Sequence, residues 1–467
     1  MVKACGKNFK QLIMKTVFII ITRGSLVMNF FFSGVAKKLL NTGVKLIVLS
    51  PFSERKEVFT PFQHENLYIE PLHDSPQTTL SRIMLELLKG AIFNKTIHTR
   101  YIHRITAADS PPSKLWYLPR MLFFAPLRLL PGFKNLIRFF DFHLQPQREN
   151  DYLFEKYKPD LVFSTTPNGV SDVGVLKGAK RHGVKTIAMP KSWDTLSKFL
   201  FNTKTDRLLV WSSFSKEQAL RYQGYKDSEV SVTGAPQFDY YAHKEKIMER
   251  EEFFKKNGLD PKKRLILYGS TGSNLCYESR YADLIKKYID EEYLGKAQVL
   301  IRPHIAYLGD GEQFKQLNKY PDFVVDKQEK QDSRFKDNWD ISEEYLSHLF
   351  NSLSHADVCV NVASTLTIDA TMCGTPVINI NFDFPDIKKD MSVKRLYKSD
   401  YVDEITSFGA TWVVKSEEEY LNALKEVVVE GKRKDEEMKK LIKHFACAND
   451  GRAAERIANA TLNMLKN

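Results

Sequence analysis

The clearest structural signal in this sequence is the run Ala356-Asp-Val-Cys-Val-Asn-Val-Ala-Ser-Thr-Leu-Thr-Ile-Asp-Ala-Thr-Met-Cys-Gly-Thr-Pro-Val-Ile-Asn-Ile380. Its two apolar segments, Val358 to Val362 and the one that opens at Val377, predict parallel strands covered on both faces. The segment between them predicts a helix that ends at Gly374, because a glycine followed closely by a proline is a common helix stop. The run therefore predicts a strand, a helix and a second strand of a parallel α/β sheet.

Polar groups follow the first of these strands. Ser364 or Thr365 stands where the helix N-cap is expected, so a hydroxyl and free backbone N–H groups would face an anion there. Asp369 lies about one turn further along the same side of the helix and is suited to bind a sugar hydroxyl. The pattern predicts a site for a nucleotide diphosphate.

The segment Ile368 to Val377 resembles the donor-nucleotide segment of GT-B glycosyltransferases, in which an acidic residue binds the ribose of a nucleotide sugar. That family usually has Glu where this chain has Asp369, whose side chain is one methylene shorter. The resemblance implies an α/β fold of the GT-B type, with two Rossmann-like doubly wound domains facing each other across a cleft. An ordinary helix-to-strand connection in another α/β protein is the alternative.

Length and charge limit the remaining choices. A chain of 467 residues suits two domains of about 200 residues each. The 69 basic and 57 acidic residues give a net charge of +12, which suits phosphorylated substrates, an anionic membrane or nucleic acid. The five cysteines have no paired spacing, so we expect reduced thiols and no metal site. The apolar run from Leu12 to Thr22 is too short to span a bilayer, which needs about 20 residues, and we expect a cytoplasmic protein.

The first half of the chain predicts one doubly wound domain. Thr16 to Ile21 and Val44 to Leu49 read as its first strands. Arg23 and Gly24 follow the first strand, at the edge where such sheets bind ligands; a solvated arginine in a plain turn is equally compatible. Further on, Val230 to Asp239 contains a Gly-x-Pro-x-x-Asp segment that looks like the end of the first domain in many GT-B proteins. We predict an acceptor domain of residues 1–240 and a nucleotide-donor domain of residues 241–467.

Between about residues 80 and 146 the sequence contains no apolar run typical of a buried strand. We therefore predict a helical insertion in the first domain. Aromatic side chains alternate there with Arg120, Arg128, Lys134 and Arg138. Such a surface suits peripheral contact with an anionic membrane, and a helical cover packed on the core is the alternative. Prolines at 111, 112, 126 and 131 exclude one long amphipathic helix.

Two more strand ends carry polar groups in the second half. Arg264 to Asn274 predicts a strand followed by a turn of Gly269, Ser270, Thr271 and Gly272, in which glycines admit a phosphate and hydroxyls donate to it. The Lys-Ser/Thr pair of a Walker A loop is missing. The next strand ends in Arg302 and His304, which suit a leaving diphosphate. A simple turn and a structural Arg–His pair are the alternatives.

Three segments resemble sequences of known enzyme families. The Arg-x-His strand end looks like those of GT-B enzymes and of CDP-glycerol transferases. Asn449 to Ile457 looks like an Asp-Gly-x-x-x-x-Arg-Ile segment of the same families, so Arg452 or Arg456 is expected to contact the donor unless the segment is only a capped helix start. Pro190 to Lys198 resembles a Ser-Trp-Asp-x-Leu loop of enzymes that make bacterial surface polysaccharides.

That last loop implies a catalytic role for Asp194, as a base or an acceptor contact. The alternative is that Trp193 anchors the loop by packing and that Asp194 caps it. His64 and His103 are the other candidates for the base that deprotonates the acceptor hydroxyl. His304 is the second predicted catalytic residue.

Together these segments predict a metal-independent glycosyltransferase related to the CDP-glycerol glycerophosphotransferases. It would move a sugar from a UDP- or GDP-linked donor to a glycan or lipid-linked acceptor in surface polysaccharide synthesis, with no further cofactor and no nucleic-acid partner. Arg302, His304 and helix N-termini would meet the leaving-group charge. The first alternative is polyol-phosphate transfer from a CDP-alcohol, although those enzymes usually carry Trp-His-Gly where this chain has Ser192-Trp193-Asp194. A nucleotide-sugar 2-epimerase and a non-catalytic GT-B scaffold are the others.

Overall fold

The computed structural model describes residues 15–99, 111–272, 275, 277–305, 307, 309–327, 342–388 and 391–466. The chain forms two compact units. Unit 1 comprises Met1–Phe93, Leu115–Asp239 and Phe445–Asn467, and unit 2 comprises Asn94–Lys114 and Tyr240–His444. No helix in the described part of the chain is both long enough and apolar enough to cross a membrane.

Unit 1 contains a parallel sheet in which an interior strand, Thr16–Ile20, is buried along its whole length. Its strands in chain order are β1 (Thr16–Ile20), β2 (Lys45–Ser50), β3 (Leu67–Pro71), β4 (Leu161–Ser164), β5 (Lys185–Ala188), β6 (Arg207–Val210) and β7 (Val230–Val232). Across the sheet they run β3-β2-β1-β4-β5-β6-β7. The order reverses between β1 and β4, and such a reversal is where doubly wound sheets bind ligands.

Unit 2 contains a second parallel sheet. Its strands are β8 (Arg264–Gly269), β9 (Ala297–Arg302), β10 (Phe323–Val325), β11 (Val358–Asn361), β12 (Val377–Ile380) and β13 (Trp412–Val414). They run β10-β9-β8-β11-β12-β13, so this sheet reverses between β8 and β11. Two parallel sheets of this kind confirm the predicted α/β doubly wound class.

Helices cover the faces of both sheets, as parallel strands require. In chain order they are α1 (Gly24–Val27), α2 (Val35–Leu40), α3 (Lys56–Phe59), α4 (Thr79–Gly90), α5 (Pro111–Leu127), α6 (Phe133–Leu144), α7 (Asp151–Tyr157), α8 (Val170–Arg181), α9 (Ser213–Gln218), α10 (Asp239–Ala242), α11 (Arg250–Lys256), α12 (Ser279–Asp290), α13 (Glu343–His355), α14 (Thr365–Cys373), α15 (Asp400–Ser407), α16 (Glu417–Leu424), α17 (Asp435–Ala446) and α18 (Ala453–Lys466).

The strand–helix–strand segment quoted first has the predicted form. β11 and β12 are parallel neighbours in register, with Val360 opposite Ile378. Between them α14 begins after Ser364 and ends at Gly374, whose φ of 84° is the left-handed value that glycine adopts without strain.

The end of the chain corrects the predicted domain limits, which assigned residues 241–467 to one domain. Residues 445–467 belong to unit 1. Asp239 holds them there, because its two carboxylate oxygens accept the backbone N–H groups of Ala453 and Ala454 at 2.9 and 2.8 Å. A sequence shows that α18 is a helix, but it does not show which sheet the helix covers.

The helical insertion is divided between the units. Helices α4 and α6 belong to unit 1, whereas the segment that begins at Asn94 joins unit 2, where Thr96 N–H donates to Asp400 Oδ2 at 2.7 Å. Helices α5 and α6 are separate, so the exclusion of one long amphipathic helix is confirmed.

The cations of this insertion donate to acceptors of the protein; Arg138 is buried, whereas Arg120, Arg128 and Lys134 are half-buried. Arg138 is 8% exposed and donates to the carbonyl oxygens of Phe201 and Gln223. Arg128 donates to Gly90 O at 2.8 Å, and Arg120 pairs with Glu86. The apolar side chains are the ones that face solvent. They include Leu122, Phe123, Leu129, Leu130, Leu136, Phe139, Phe140 and Leu144, and we call this set the apolar face.

Candidate functional site

Three strand ends of unit 2 lie side by side. Gly269 of β8 pairs with Arg302 of β9 on one side and with Asn361 of β11 on the other. Neighbouring strands are about 4.8 Å apart, so the segments that follow these residues share one edge of the sheet. The structure thus brings together three features at the point where the strand order reverses: the turn after Gly269, the end of β9 at Arg302 and the start of α14.

The turn after β8 binds a carboxylate of its own chain. Ser270 Oγ and Thr271 N–H each donate to Glu278 Oε2 at 2.9 Å, and Thr271 Oγ1 donates to Glu278 Oε1 at 2.9 Å. Glu278 is completely buried, and burial raises its pKa to about 8, although these donors act in the opposite direction. The hydroxyls predicted to face a phosphate are therefore engaged by Glu278, and their contact with a donor stays a prediction.

Both glycines of this turn are explained by contacts with protein side chains. A Cβ on Gly269 would lie 2.1 Å from Leu366 Cδ2, in the first turn of α14. A Cβ on Gly272 would lie 2.0 Å from Tyr307 Cδ2, and the φ of Gly272 is +89°. Glycine at these positions allows β8 to approach α14 and allows the turn to fold, whether or not a phosphate binds there.

Arg302 is held by Asp326, which His348 contacts in turn. Its Nη1 donates to Asp326 Oδ2 at 3.0 Å, and His348 Nε2 lies 2.8 Å from the same oxygen. Burial of Asp326 alone would raise its pKa, but Arg302 and His348 outweigh burial and lower it. Asp326 is therefore a stable anion that fixes the guanidinium at the strand end. Neither Asp326 nor His348 belongs to a sequence motif, and the sequence gives no signal for them.

His304 lies two residues beyond Arg302. Its backbone N–H donates to Asp310 Oδ2 at 2.7 Å, and its ring packs against Tyr307 with centroids 4.8 Å apart. Burial lowers the pKa of His304, although the Asp310 charge acts in the opposite direction. The imidazole is thus neutral at neutral pH and can donate or accept one hydrogen bond at this edge.

Helix α14 begins at the same edge. Ser364 is its N-cap, and Ser364 Oγ accepts the Leu366 N–H at 3.3 Å. Thr365 is its first residue. The N-terminus of a helix carries a partial positive charge and suits an anion. The predicted N-cap is therefore present, one strand away from the turn that Glu278 closes.

Asp369 lies one turn into α14 and has a partner that the sequence did not indicate. Tyr241 OH donates to Asp369 Oδ1 at 3.1 Å. Burial raises the pKa of Asp369 to about 7, although this hydrogen bond acts in the opposite direction. The carboxyl group thus exchanges its proton near neutral pH, and its predicted contact with a ribose stays a prediction.

Unit 1 places Arg23 and Gly24 at the reversal between β1 and β4. Arg23 lies three residues beyond the end of β1 and is the N-cap of α1, whose first residue is Gly24. The buried carboxylate of Asp172 accepts hydrogen bonds from Ser164 Oγ at 2.7 Å and from Thr166 N–H at 3.1 Å. Burial raises the pKa of Asp172 to about 7, while those bonds and the charge of Arg23 act in the opposite direction.

The two units therefore share one arrangement. In each, a serine at a strand end donates to a buried carboxylate eight residues later, Ser164 to Asp172 and Ser270 to Glu278. Neither acid was predictable from sequence, because a serine and an acid eight residues apart form no recognised motif. The only signal was the run of hydroxyl residues that each acid binds.

The Ser-Trp-Asp loop is anchored by its tryptophan. Trp193 is 3% exposed and packs edge-on against Phe445, with ring centroids 5.3 Å apart. The carboxylate of Asp194 pairs with Lys198 Nζ. The packing role of Trp193 is thus established, whereas the role of Asp194 as a base stays a prediction and requires that this ion pair open.

The remaining candidates have local roles or lie outside the described residues. His64 Nδ1 accepts the Asn66 N–H at 3.1 Å within one turn. His103 lies outside the described residues.

Arg456 Nε donates to Thr233 O at 2.7 Å, and Arg452 pairs with Glu455. Both arginines belong to unit 1, which corrects their placement in the donor domain. Within the described residues, no group of three or more His, Cys, Asp or Glu side chains is arranged to hold a metal ion.

Comparison with solved structures shows the fold. The UDP-GlcNAc 2-epimerase from Neisseria meningitidis bound to UDP-GlcNAc has a TM-score of 0.55 at 13% identity, over 96% of this chain and 100% of that chain. The corresponding enzyme from Methanocaldococcus jannaschii has a TM-score of 0.54 at 12% identity, over 97% and 100%. S. aureus MnaA in complex with UDP has a TM-score of 0.54 at 13% identity, over 97% and 98%. No curated protein matches the chain.

Comparison with family models shows the family. The model for CDP-Glycerol:Poly(glycerophosphate) glycerophosphotransferase matches residues 179–463, which is more than half of the chain. The match includes the Ser-Trp-Asp loop and every strand of unit 2. The match confirms the prediction of a transferase with a nucleotide-activated donor, which is either a nucleotide sugar or a CDP-alcohol. The chain belongs to the CDP-glycerol:poly(glycerophosphate) glycerophosphotransferase family.

Proposed function

We propose that the protein transfers a polyol phosphate from a CDP-linked alcohol to a hydroxyl group of a growing surface polymer. The observation that carries this proposal is the meeting of three polar strand ends at the β8–β11 reversal of unit 2. Family membership supports a CDP-linked donor in particular. On sequence alone we expected a UDP- or GDP-linked sugar first and a CDP-alcohol second; here we propose the CDP-alcohol first.

Arg302 has the geometry of a diphosphate-binding residue. Asp326 and Ser352 Oγ lie near its Nη1, which fixes the guanidinium plane at the strand end. A fixed planar fork can bind two phosphate oxygens at once. The N-terminus of α14 adds partial positive charge, and neutral His304 adds one hydrogen bond. These groups would oppose the charge that develops on the leaving nucleotide.

The proposed reaction forms one bond and breaks one. An acceptor hydroxyl oxygen bonds to the phosphorus that carries the polyol, and the bond from that phosphorus to the bridging oxygen breaks. CMP leaves with the electron pair, and the hydroxyl proton passes to a base. Asp194 remains the proposed base, since it is the acidic residue of a loop that follows a strand of unit 1.

Sugar transfer from a UDP- or GDP-linked donor is the second candidate. One observation favours it, namely that Ser192-Trp193-Asp194 stands where CDP-glycerol transferases usually carry Trp-His-Gly, so this loop offers no histidine. The hydroxyl would then attack the anomeric carbon of the sugar, and the nucleoside diphosphate would leave. The residues proposed to bind the diphosphate are the same.

A thermal-shift panel with CDP-glycerol, UDP-sugars and GDP-sugars tests both candidates. We expect CDP-glycerol to stabilise the wild-type protein and to have no effect on Arg302→Gln, which lacks the guanidinium. Arg264→Gln is the matched control, because Arg264 lies at the opposite end of β8 and is exposed. Stabilisation by a UDP- or GDP-sugar alone would transfer the assignment to the second candidate. No stabilisation by any donor would contradict both.

We also propose that the acceptor is reached at a membrane surface, through the apolar face of α5, α6 and the turn between them. Leu129 is 83% exposed, Leu122 66% and Phe123 60%. Surface side chains of this size in one contiguous segment are typical of a binding surface. Since the nearby cations already donate to acceptors of the protein, contact would depend on apolar insertion more than on a basic patch.

A further inference from the structure

Much of the hydrogen-bonding capacity at the start of α14 is already used within unit 2. The Ala363 N–H donates to Tyr397 OH at 3.2 Å. The Ser364 N–H donates to Thr367 Oγ1 at 3.4 Å, and the Thr367 N–H donates to Ser364 O at 3.1 Å. The helix dipole still favours an anion here. A side-chain donor nearby would supply the hydrogen bonds that these N–H groups no longer offer.

Tyr397 is such a donor. Its oxygen accepts the Ala363 N–H, whereas its own hydrogen has no acceptor among the residues that the structure describes. Burial raises the pKa of Tyr397, although the Ala363 N–H acts in the opposite direction, so the hydroxyl keeps its hydrogen at neutral pH. A hydroxyl whose oxygen accepts a hydrogen bond is polarised and donates more strongly. The start of α14 thus has beside it a polarised O–H group that the fold leaves uncommitted.

The segment after β12 fixes the position of this hydroxyl. Tyr397 is half-buried, and its ring packs against the buried core of unit 2. On one side of it, Leu396 O accepts Ser399 Oγ at 2.7 Å. On the other side, Lys398 O accepts Thr99 Oγ1 at 2.9 Å. Because the phenol is already held, little side-chain entropy would be lost when it binds a ligand.

Tyr397 and Arg302 approach one edge of the sheet from different strands. Arg302 ends β9, and Ala363 lies two residues beyond Asn361, which ends β11. Since β8 lies between β9 and β11, these two strand ends are on the order of 10 Å apart. The arginine side chain and a diphosphate together can span that separation. Donors on two sides suit a diphosphate, because its two phosphorus atoms carry separate sets of oxygens.

We propose that Tyr397 binds the diphosphate of the donor nucleotide, donating its hydroxyl hydrogen to a phosphate oxygen while the Ala363 N–H holds its own oxygen in place. Arg302 then binds the same diphosphate from the β9 side. The inference rests on the proposed function and adds a binding residue to it. It holds for a CDP-alcohol and for a nucleotide sugar alike, because both donors carry a diphosphate.

The test compares Tyr397→Phe with wild type in the full-length protein. Tyr397→Phe removes the hydroxyl and keeps the ring that packs on the core, so we expect a folded protein. Calorimetry, with competition where binding is weak, measures the Kd of CDP and of cytidine, which lacks the phosphates. The pairs UDP and uridine, and GDP and guanosine, are measured in parallel.

Thr367→Val is the matched control. Thr367 Oγ1 likewise accepts a backbone N–H at the start of α14, but Thr367 is completely buried and donates its own hydrogen to Asn361 Oδ1 at 3.1 Å. Both substitutions therefore disturb the helix start, and only Tyr397→Phe removes a hydrogen that a ligand can accept. Tyr320→Phe is a second control, since Tyr320 is exposed and precedes β10, at the opposite edge of the sheet.

We expect Tyr397→Phe to raise the Kd of CDP by about tenfold, as loss of a hydrogen bond to a charged group does, and to leave the Kd of cytidine unchanged. Both controls should bind CDP as wild type does, even where the melting temperature of Thr367→Val falls.

Three results would overturn the proposal. One is CDP binding by Tyr397→Phe that is as tight as in wild type, or tighter. Another is an equal loss of CDP and cytidine affinity, and the third is equal weakening of CDP binding by Tyr397→Phe and Thr367→Val, since the hydroxyl would then act only through the helix start. If wild type binds none of the three nucleoside diphosphates, the proposed function fails as well; if wild type binds one, these results remove Tyr397 alone.

Discussion

At the scale of single residues, Glu278 controls the turn after β8. Its pKa is about 8 in the folded protein and 4.5 in the unfolded chain, so between these values the folded state holds a proton that the unfolded state has lost. Stability is then greatest below this window and falls as the pH rises through it. The loss is at most about 1.4 kcal/mol per pH unit. We expect Glu278→Gln to flatten this dependence in urea unfolding measured from about pH 5 to pH 9.

The matched control is Glu291→Gln, at an exposed glutamate just beyond α12. It should leave the pH dependence as in wild type, because Glu291 is exposed and lies outside the turn after β8. If Glu278→Gln and wild type lose stability in parallel as the pH rises, the carboxyl group of Glu278 does not control this turn.

At the scale of elements, α18 depends on one residue from far away in the chain. Asp239 accepts both Ala453 N–H and Ala454 N–H, and it lies more than 200 positions before them. We expect Asp239→Ala to destabilise the protein by about 1–3 kcal/mol in urea unfolding, because two buried donors lose their acceptor. Amide exchange in α18 should accelerate.

Asp239→Asn provides the graded control, since its single carbonyl oxygen can still accept one of the two N–H groups. Its stability should lie between those of wild type and Asp239→Ala. Equal stability of all three proteins would show that α18 is held by packing alone.

Strands and helix ends were more predictable from the sequence than the residues that contact the candidate site. Continuous apolar runs predicted β8, β9, β11 and β12, because a parallel strand must be buried on both faces. The start of α14 was predictable from Ser364 and its end from Gly374, since caps are local. The partners Glu278, Asp326 and Tyr241 were not predictable, because each meets its site through the tertiary fold. The inward direction of Arg138 was missed for the same reason: sequence shows a charge but not which side of a helix the fold covers.

At the scale of the whole molecule, the apolar face predicts association with neutral as well as anionic membranes. Replacing Leu122 and Phe123 together by Ser should reduce binding to phosphatidylcholine vesicles by roughly tenfold or more, since each exposed side chain contributes apolar area to insertion. Flotation of the full-length protein measures this.

Tyr293 and Val429 are 44% and 55% exposed in unit 2 and provide the matched control. Their joint replacement by Ser should leave flotation unchanged. Undiminished flotation after replacement of Leu122 and Phe123 would remove the apolar face as the membrane contact.

The return of residues 445–467 to unit 1 determines how the protein can be dissected. All six strands of the second sheet lie between Arg264 and Val414, so one uninterrupted piece spanning residues 240–444 carries that sheet whole. Unit 1 has no such piece, because shortening the chain from its carboxyl end removes α18 before it removes any of unit 2. To obtain unit 1 alone, Asn94–Lys114 and Tyr240–His444 must both be excised, with Phe93 rejoined to Leu115 and Asp239 rejoined to Phe445.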